Sequence, residues 1–316
     1  MSIGGSPGGR PASGLVIGEA FVDLIARSDG RETSYVPRFG GSPLNVAVGL
    51  RRLGTPVRLA TTLAPDVFGT ALAEFCARED VDIRTLSTPV DRTFLAVATP
   101  REGRVAYEYF GDLASLTGIR PIDPRSASEA AVVHASSTAF LADPARSTVR
   151  RAVEAARGFT SLDPNPRPSL IAAETGYLDA LLGLFGLVDL VKVSDEDLAY
   201  LFPGADPGEE ALRLHRTYGC VVIVTRAASP TLLAHGDRVS SIEVPATRVV
   251  DATGAGDSFM ASVLADVARC GRPGGADEWS DLIRRANQAA AATCQGIGGA
   301  ESMPTARSLG RFGNDA

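Results

Sequence analysis

Asp251-Ala252-Thr253-Gly254-Ala255-Gly256-Asp257 sets two carboxylates on either side of a glycine-rich turn. Val249-Val250 precede it and an apolar-periodic segment follows, so residues 249–261 read as strand, turn and helix N-terminus. Glycines at 254 and 256 remove side-chain bulk and permit unusual backbone angles. The N–H groups of the helix's first turn lack partners inside the helix and make an anion site. A carboxylate at 257, among such donors, suits a base beside a phosphoryl group in transfer. It equally suits a helix cap. The stretch alone leaves both readings standing.

Other polar residues fall where strands are expected to end. Val132–Ser136, Phe159–Asp163, Val188–Val193 and Val221–Thr225 read as strands, with helical stretches near 145–157, 169–185, 207–218 and 278–295. Alternating strands and helices predict a mainly parallel sheet covered on both faces, with its ligand crevice at the C-terminal strand ends. Asp163, Asn165 and Arg167, Lys192 to Asp197, and Thr225 with Arg226 lie there, joined by Asp251 to Asp257. Nearer the N-terminus, Leu15–Gly18 reads as a buried first strand and Phe21–Ile25 as a second carrying Asp23. Taken alone, Asp23 fits an edge-strand residue facing water. Glu32–Phe39 reads as a return strand, and a helix starts near Pro43 with Asn45 in its first turn, either projecting into a cleft or exposed. Pro56–Thr62 is expected as a strand and Val67–Arg78 as a helix. Thr93–Thr99 and Arg104–Phe110 alternate about a Pro-Arg-Glu-Gly turn and predict a hairpin. With residues 21–38 it forms a small separate sheet, a lid whose Tyr107, Tyr109 and Phe110 line a ligand, bury an interface or pack the sheet.

Composition narrows the chemistry. Of 31 basic residues only Lys192 is lysine, and it is flanked by valines. A phosphate-binding loop of the Gly-Lys-Ser/Thr type is therefore excluded, as is the protein-kinase signature set. The dinucleotide fingerprint also fails, because Phe259 occupies its third glycine position. A net charge of −6 argues against a nucleic-acid surface, and there is no apolar run of 18 residues to span a membrane. Four scattered cysteines with no CxxC pair read as reduced thiols in a cytoplasmic protein. Residues 1–14 are expected to be a disordered tail, and residues 15–316 one domain with lid segments at about 20–38 and 92–111.

Two stretches together resemble the signatures of the PfkB (ribokinase-like) carbohydrate kinases. They are Gly40-Gly41-Ser42-Pro43-Leu44-Asn45-Val46-Ala47, followed by Gly54, and Asp251 to Asp257. Asp163-Pro-Asn-Pro-Arg167-Pro and Val191-Lys-Val-Ser-Asp-Glu-Asp-Leu198 look most like the fructokinase branch. The resemblance implies an α/β fold with a Rossmann-like, mainly parallel sheet flanked by helices, a small β-sheet lid, and dimerisation through that lid. It implies ATP-dependent phosphorylation of a small sugar, most similar to fructose, with 2-keto-3-deoxygluconate, ribose or a nucleoside as alternatives. A catalytically impaired sugar- or nucleotide-binding protein is the reading from a different class.

By the same resemblance, Asp257 is the base and the amides of Gly254, Ala255 and Gly256 stabilise charge on the phosphoryl group. Asp23, Gly40, Gly41, Asn45, Tyr107, Tyr109 and Arg167 hold the sugar. Lys192, Ser194, Thr225, Arg226 and Asn287 lie along the nucleotide. Asp197 reaches Mg²⁺ through water, and Asp251 with Thr253 falls where a monovalent cation such as K⁺ binds. Ser194 and Asp197 stand for the family's Asn and Glu, Ala252 for Thr or Ser, and Ala64 for Gly. The run Thr225-Arg-Ala-Ala-Ser-Pro has no glycine where one is usual, which predicts an altered loop beside the nucleotide.

Overall fold

A computed structural model describes residues 13–28, 31–85, 90–101, 104–171 and 176–310. Residues 1–12 of the predicted N-terminal tail, the tip of the 100–103 turn and residues 172–175 of the 169–185 helical stretch fall outside the described residues; Gly14, placed in the tail by the sequence, instead opens the first strand. Among the described residues, thirteen strands form two sheets: β1 (Gly14–Ile17), β2 (Phe21–Ser28), β3 (Thr33–Gly40), β4 (Val57–Thr61), β5 (Asp82–Thr85), β6 (Leu95–Arg101), β7 (Arg104–Phe110), β8 (Val132–Ser136), β9 (Phe159–Asp163), β10 (Leu190–Ser194), β11 (Val221–Arg226), β12 (Ser229–His235) and β13 (Arg238–Ile242). The large sheet runs β13-β12-β11-β10-β9-β8-β1-β4-β5. It is parallel from β11 through β5 and ends in the antiparallel pair β12 and β13.

Both faces of this sheet are covered, which is why its central strands β8 and β9 are buried along their whole length. On one face Leu44, Leu50, Phe259, Val263 and Trp279 pack from the helices Ser42–Arg52, Ala255–Cys270 and Ala276–Thr293. On the other, Val149, Leu181, Phe185 and Leu214 pack from Ala145–Ala155, Tyr177–Phe185 and Pro207–Tyr218. Consecutive residues on β8 divide between the two, Val132 joining the first cluster and Val133 the second, as strand alternation requires.

The small sheet runs β3-β2-β6-β7, so β2 is an interior strand and not an edge. Asp23 pairs in register with Arg38 on one side and Ala96 on the other. One face of this sheet rests on the helix Val67–Arg78, where the Phe39 and Phe75 rings stack 4.7 Å apart. The opposite face, carrying Phe21, Asp23, Ala96, Tyr107 and Tyr109, looks into the cleft described below.

One expectation is corrected here. Val249 and Val250 do not form a strand; they are 60% and 50% exposed, and the N–H groups of Val250 and Asp251 both donate to the Cys294 carbonyl (2.8 and 3.2 Å). The β-branched run is tied to the end of the last helix instead of to a sheet. The loop after Thr225, which has no glycine, closes a tight hairpin. Arg226 faces Ser229 across two residues, and Ala227 adopts φ +47°. That left-handed conformation costs a side-chain-bearing residue about 1 kcal/mol. Ala227→Gly is therefore expected to raise stability by about that amount. A thermal melt checks this, and a lower Tm would refute it.

Candidate active site

The ends of β9, β10 and β11, the N-termini of Ser42–Arg52 and Ala255–Cys270, and the inner face of the small sheet enclose a cleft of about 540 Å³. It is lined by Asp23, Gly41, Asn45, Tyr107, Tyr109, Arg167, Lys192, Ser194, Asp197, Thr225, Arg226, Thr253, Gly254, Ala255, Gly256, Asp257 and Asn287. The site residues that the resemblance assigns therefore converge, with two exceptions. Gly40 and Asp251 stand just behind the wall.

Gly40 has a steric reason to be glycine. A Cβ there would lie 2.2 Å from Asp23 Oδ2, so the bare backbone leaves room for that carboxylate. Asp251 is held by its neighbours: Thr253 donates to Oδ1 from its N–H (2.9 Å) and hydroxyl (2.7 Å), and Gly298 N–H donates to Oδ2 (2.9 Å). Burial alone would raise Asp251, but these three donors hold it below the usual carboxylate range.

Asp257 lies in the first turn of its helix, 7% exposed, after Gly254 turns the chain at φ +80°. Both its oxygens are engaged by one helix. Ser42 Oγ donates to Oδ1 and Asn45 Nδ2 to Oδ2, each at 2.7 Å. Asn45, which local pattern leaves open as an exposed residue, is buried for this contact. Ser42 was not singled out in the sequence, nor was Ser136, whose Oγ lies 2.9 Å from Ser42 Oγ. Both partners come from distant segments, and only Ser42's place inside the Gly40–Ala47 stretch offered a hint. Of the turn amides, Ala255 N–H is spent on the Ala252 carbonyl (3.1 Å). The N–H groups of Gly256 and Asp257 open the helix with no intrahelical acceptor.

Lys192 Nζ donates to Asp163 Oδ2 at 2.8 Å, with both side chains buried. It sits 2.9 Å from where a Cβ at Gly256 would be, against the glycine turn. Burial pushes Asp163 up to about 6, partly countered by Lys192. Burial alone would lower Lys192, but Asp163, Asp197 and Asp257 around it raise it overall. The pair is thus ionised on both sides at neutral pH. Burial also lifts Asp23, to about 6, with Arg167 opposing and Asp251 adding to the rise. Arg167 is oriented by donating to Asn165 Oδ1 (2.8 Å).

The remaining predicted positions are fixed along the cleft's other arm. Ser194 and Asp197 form a reciprocal cap, Asp197 N–H to Ser194 Oγ (3.0 Å) and Ser194 N–H to Asp197 Oδ2 (2.9 Å). Thr225 Oγ1 reaches toward the Val193 carbonyl (3.4 Å), and Arg226 Nε donates to the Pro230 carbonyl (2.8 Å). Asn287 accepts from Thr231 Oγ1 (3.0 Å) and donates to the Glu243 carbonyl (3.2 Å). Arg38, on β3, pairs with Glu301, in the segment that also carries Gly298.

A doubly wound sheet, a helix N-terminus bearing a buried aspartate and a polar cleft beside a small sheet make an arrangement suited to phosphoryl transfer onto a hydroxyl. The chain belongs to the pfkB family of carbohydrate kinases, whose family model matches residues 12–306. It is 31% identical to a fructokinase of Klebsiella pneumoniae over 82% of this chain and 85% of that one. It is 29% identical to a fructokinase of Salmonella typhimurium over 94% and 97%. Among solved structures it resembles a fructokinase from Vibrio cholerae O395 in a fructose-, ADP- and calcium-bound form, with TM-score 0.82, 25% identity, and 96% and 99% of the two chains covered. No helix among the described residues is long and apolar enough to cross a membrane.

Proposed function

We propose that this protein is an ATP-dependent fructokinase in which Asp257 is the general base. The observation that carries this reading is the buried Asp257 carboxylate, fixed by two donors and opening on the cleft beside Lys192 and the glycine turn. Asp257 takes the proton of a sugar hydroxyl, whose oxygen bonds to the γ-phosphorus of ATP as the bond from that phosphorus to the β–γ bridging oxygen breaks and ADP leaves. The N–H groups of Gly256 and Asp257, with Lys192, face the charge that builds on the transferring group. Asp23, Gly41, Asn45 and Arg167 bind the sugar, with Tyr107 and Tyr109 above it and Gly40 making room for Asp23. Ser194, Thr225, Arg226 and Asn287 line the path of the nucleotide. The fructokinase relatives and the fructose- and ADP-bound neighbour support this substrate pair.

The oxygen donors present suit hard cations. Asp197 has one oxygen tied to the Ser194 N–H, leaving the other for a water-held Mg²⁺, an ion that keeps several waters and uses few carboxylates. Mg²⁺, when bound with the nucleotide, neutralises phosphate charge. Asp251 and Thr253 would hold a monovalent cation such as K⁺ behind the turn. We read the small sheet as a lid and as the contact of a homodimer, supported by the exposed Tyr35 and Phe110 upon it. The described cysteines are all free thiols, in keeping with a reducing cytoplasm.

A second reading, phosphorylation of 2-keto-3-deoxygluconate, is favoured by one observation. Arg167 lines the cleft opposite Asp23 and could pair with a sugar acid's carboxylate. Phosphorylation of fructose, 2-keto-3-deoxygluconate, ribose and a nucleoside with Mg-ATP, ranked by kcat/KM, separates the two. Best turnover of fructose supports the first reading, and best turnover of the acid supports the second. Nucleotide binding with no turnover of any sugar would overturn both.

Asp23 gives a further expectation. Asp23→Ala should raise the KM for sugar with little change in that for ATP. Because burial holds its carboxyl at about 6, the acceptor is lost as pH falls through that value, and sugar KM should climb there. Asp23→Asn should flatten the climb. A selective loss of ATP affinity in Asp23→Ala would count against this placement.

A further inference from the structure

The two groups that hold Asp257 sit one turn apart on the same helix, at positions 42 and 45, yet they differ chemically. The Asn45 amide N–H can only donate. The Ser42 hydroxyl can donate or accept, and its oxygen lies within hydrogen-bond distance of both Asp257 Oδ1 (2.7 Å) and Ser136 Oγ (2.9 Å). All three side chains are buried, so no solvent is needed to complete the set. With Asp257 ionised, Ser136 donates to Ser42 and Ser42 donates to Oδ1. With Asp257 protonated, the row can run the other way: Oδ1–H to Ser42, and Ser42 to Ser136.

We propose that Ser42, backed by Ser136, is a positioning residue for the base, a hydroxyl that turns over as Asp257 changes charge. The proposal rests on the reading of Asp257 as the base. In that reaction the sugar O–H bond breaks and an Asp257 O–H bond forms, the freed electron pair on the sugar oxygen bonds to the γ-phosphorus, and the bond from phosphorus to the bridging oxygen breaks with its pair leaving on ADP. Ser42 and Ser136 keep their own protons in number and change only the direction of their bonds. A carboxylate held by a rigid donor alone would face an unmatched contact in one of its two states. The Ser42 hydroxyl matches both, and it fixes the carboxylate plane toward the cleft throughout.

The tests are Ser42→Ala and Ser136→Ala, read by kcat, KM and the acid limb of kcat/KM. Ser42→Ala is expected to lower kcat roughly ten- to a hundredfold, as misplaced catalytic groups do, with both KM values nearly unchanged. It should also move the acid limb of kcat/KM upward, because the carboxylate loses a donor. Ser136→Ala should move the limb the other way or not at all, since there the protonated state loses its acceptor. The charged groups that face Asp257 are Asp163 on β9, Lys192 on β10, Asp197 on the following helix, and Asp23 and Arg167 across the cleft. They are the same in every variant, so a difference between variants reports the hydroxyls. A Ser42→Ala protein with wild-type Tm, kcat and limb would overturn the proposal. Should Ser42→Ala not fold, Ser42→Cys, a weaker donor of similar size, is expected to show an intermediate effect, and wild-type behaviour would be equally damaging. Asp257→Asn separates the layers. If it keeps full turnover, the base reading falls and Ser42's role with it. If it loses turnover while Ser42→Ala does not, only Ser42's role falls.

Discussion

Asp257→Asn is expected to cut kcat by roughly 10²–10⁴-fold with the KM for sugar nearly unchanged. The amide has the same shape but no basic oxygen pair to take the hydroxyl's proton. It should also fit. Its N–H₂ can face Ser42, whose hydroxyl turns toward Ser136, while its carbonyl accepts from Asn45 as Oδ2 does now. Folding should therefore survive, and a thermal melt near that of the wild type separates a chemical loss from a structural one. Steady-state kinetics at saturating ATP make the test, and a rate within a few-fold of wild type would sink the base assignment.

The second large effect is on stability. Lys192→Met leaves the buried Asp163 carboxylate without its counter-charge, a loss of about 3–5 kcal/mol for a broken buried pair. Calorimetry should register it as a fall in Tm of roughly 10 °C. The sign of its pH dependence follows from Asp163. Burial already lifts this group to about 6 in the folded chain, and removing the cation lifts it further. A carboxyl with a raised folded pKa contributes stability that is present below its unfolded value and lost as pH rises through the folded one. The deficit should thus be greatest at neutral pH and above, and shrink toward pH 4. Lys192→Met with Asp163→Asn should recover most of the Tm, since an uncharged pair avoids the buried ion. It should not recover turnover, because the ammonium against Gly256 is still missing. A double variant as unstable as the single one would show that the pairing is not what matters.

Much of the fold was legible because glycine, proline and β-branched runs punctuate it locally. The Val67–Arg78 helix and the strands β8 and β9 fall at their predicted bounds. The antiparallel β12 and β13 were missed for a local reason. Their hairpin turns through Ala227-Ala228 with no glycine, and Pro230 breaks the pattern of β12. Val249-Val250 misled in the opposite sense, because a helix-end carbonyl takes the N–H groups that a strand partner would have taken. At the site, the signature glycines and Asp257 could be read directly. The burial of Asn45 and the interior position of Asp23 could not. The first depends on a contact 212 residues away and the second on strand order in the small sheet. Ser136 gave no sign at all, being one small residue at the end of an apolar strand.

Lys192 carries one last consequence. It is the chain's only lysine, and its amine is enclosed while the arginines carry the rest of the positive charge. Guanidinium groups keep their protons far into the alkaline range and are poor targets for acylating reagents. The chain therefore has a single side-chain amine, in the cleft beside the glycine turn. Side-chain labelling by a small amine-directed reagent would map to residue 192 alone, and it would need the alkaline conditions that strip the proton from an ammonium held raised by Asp163, Asp197 and Asp257.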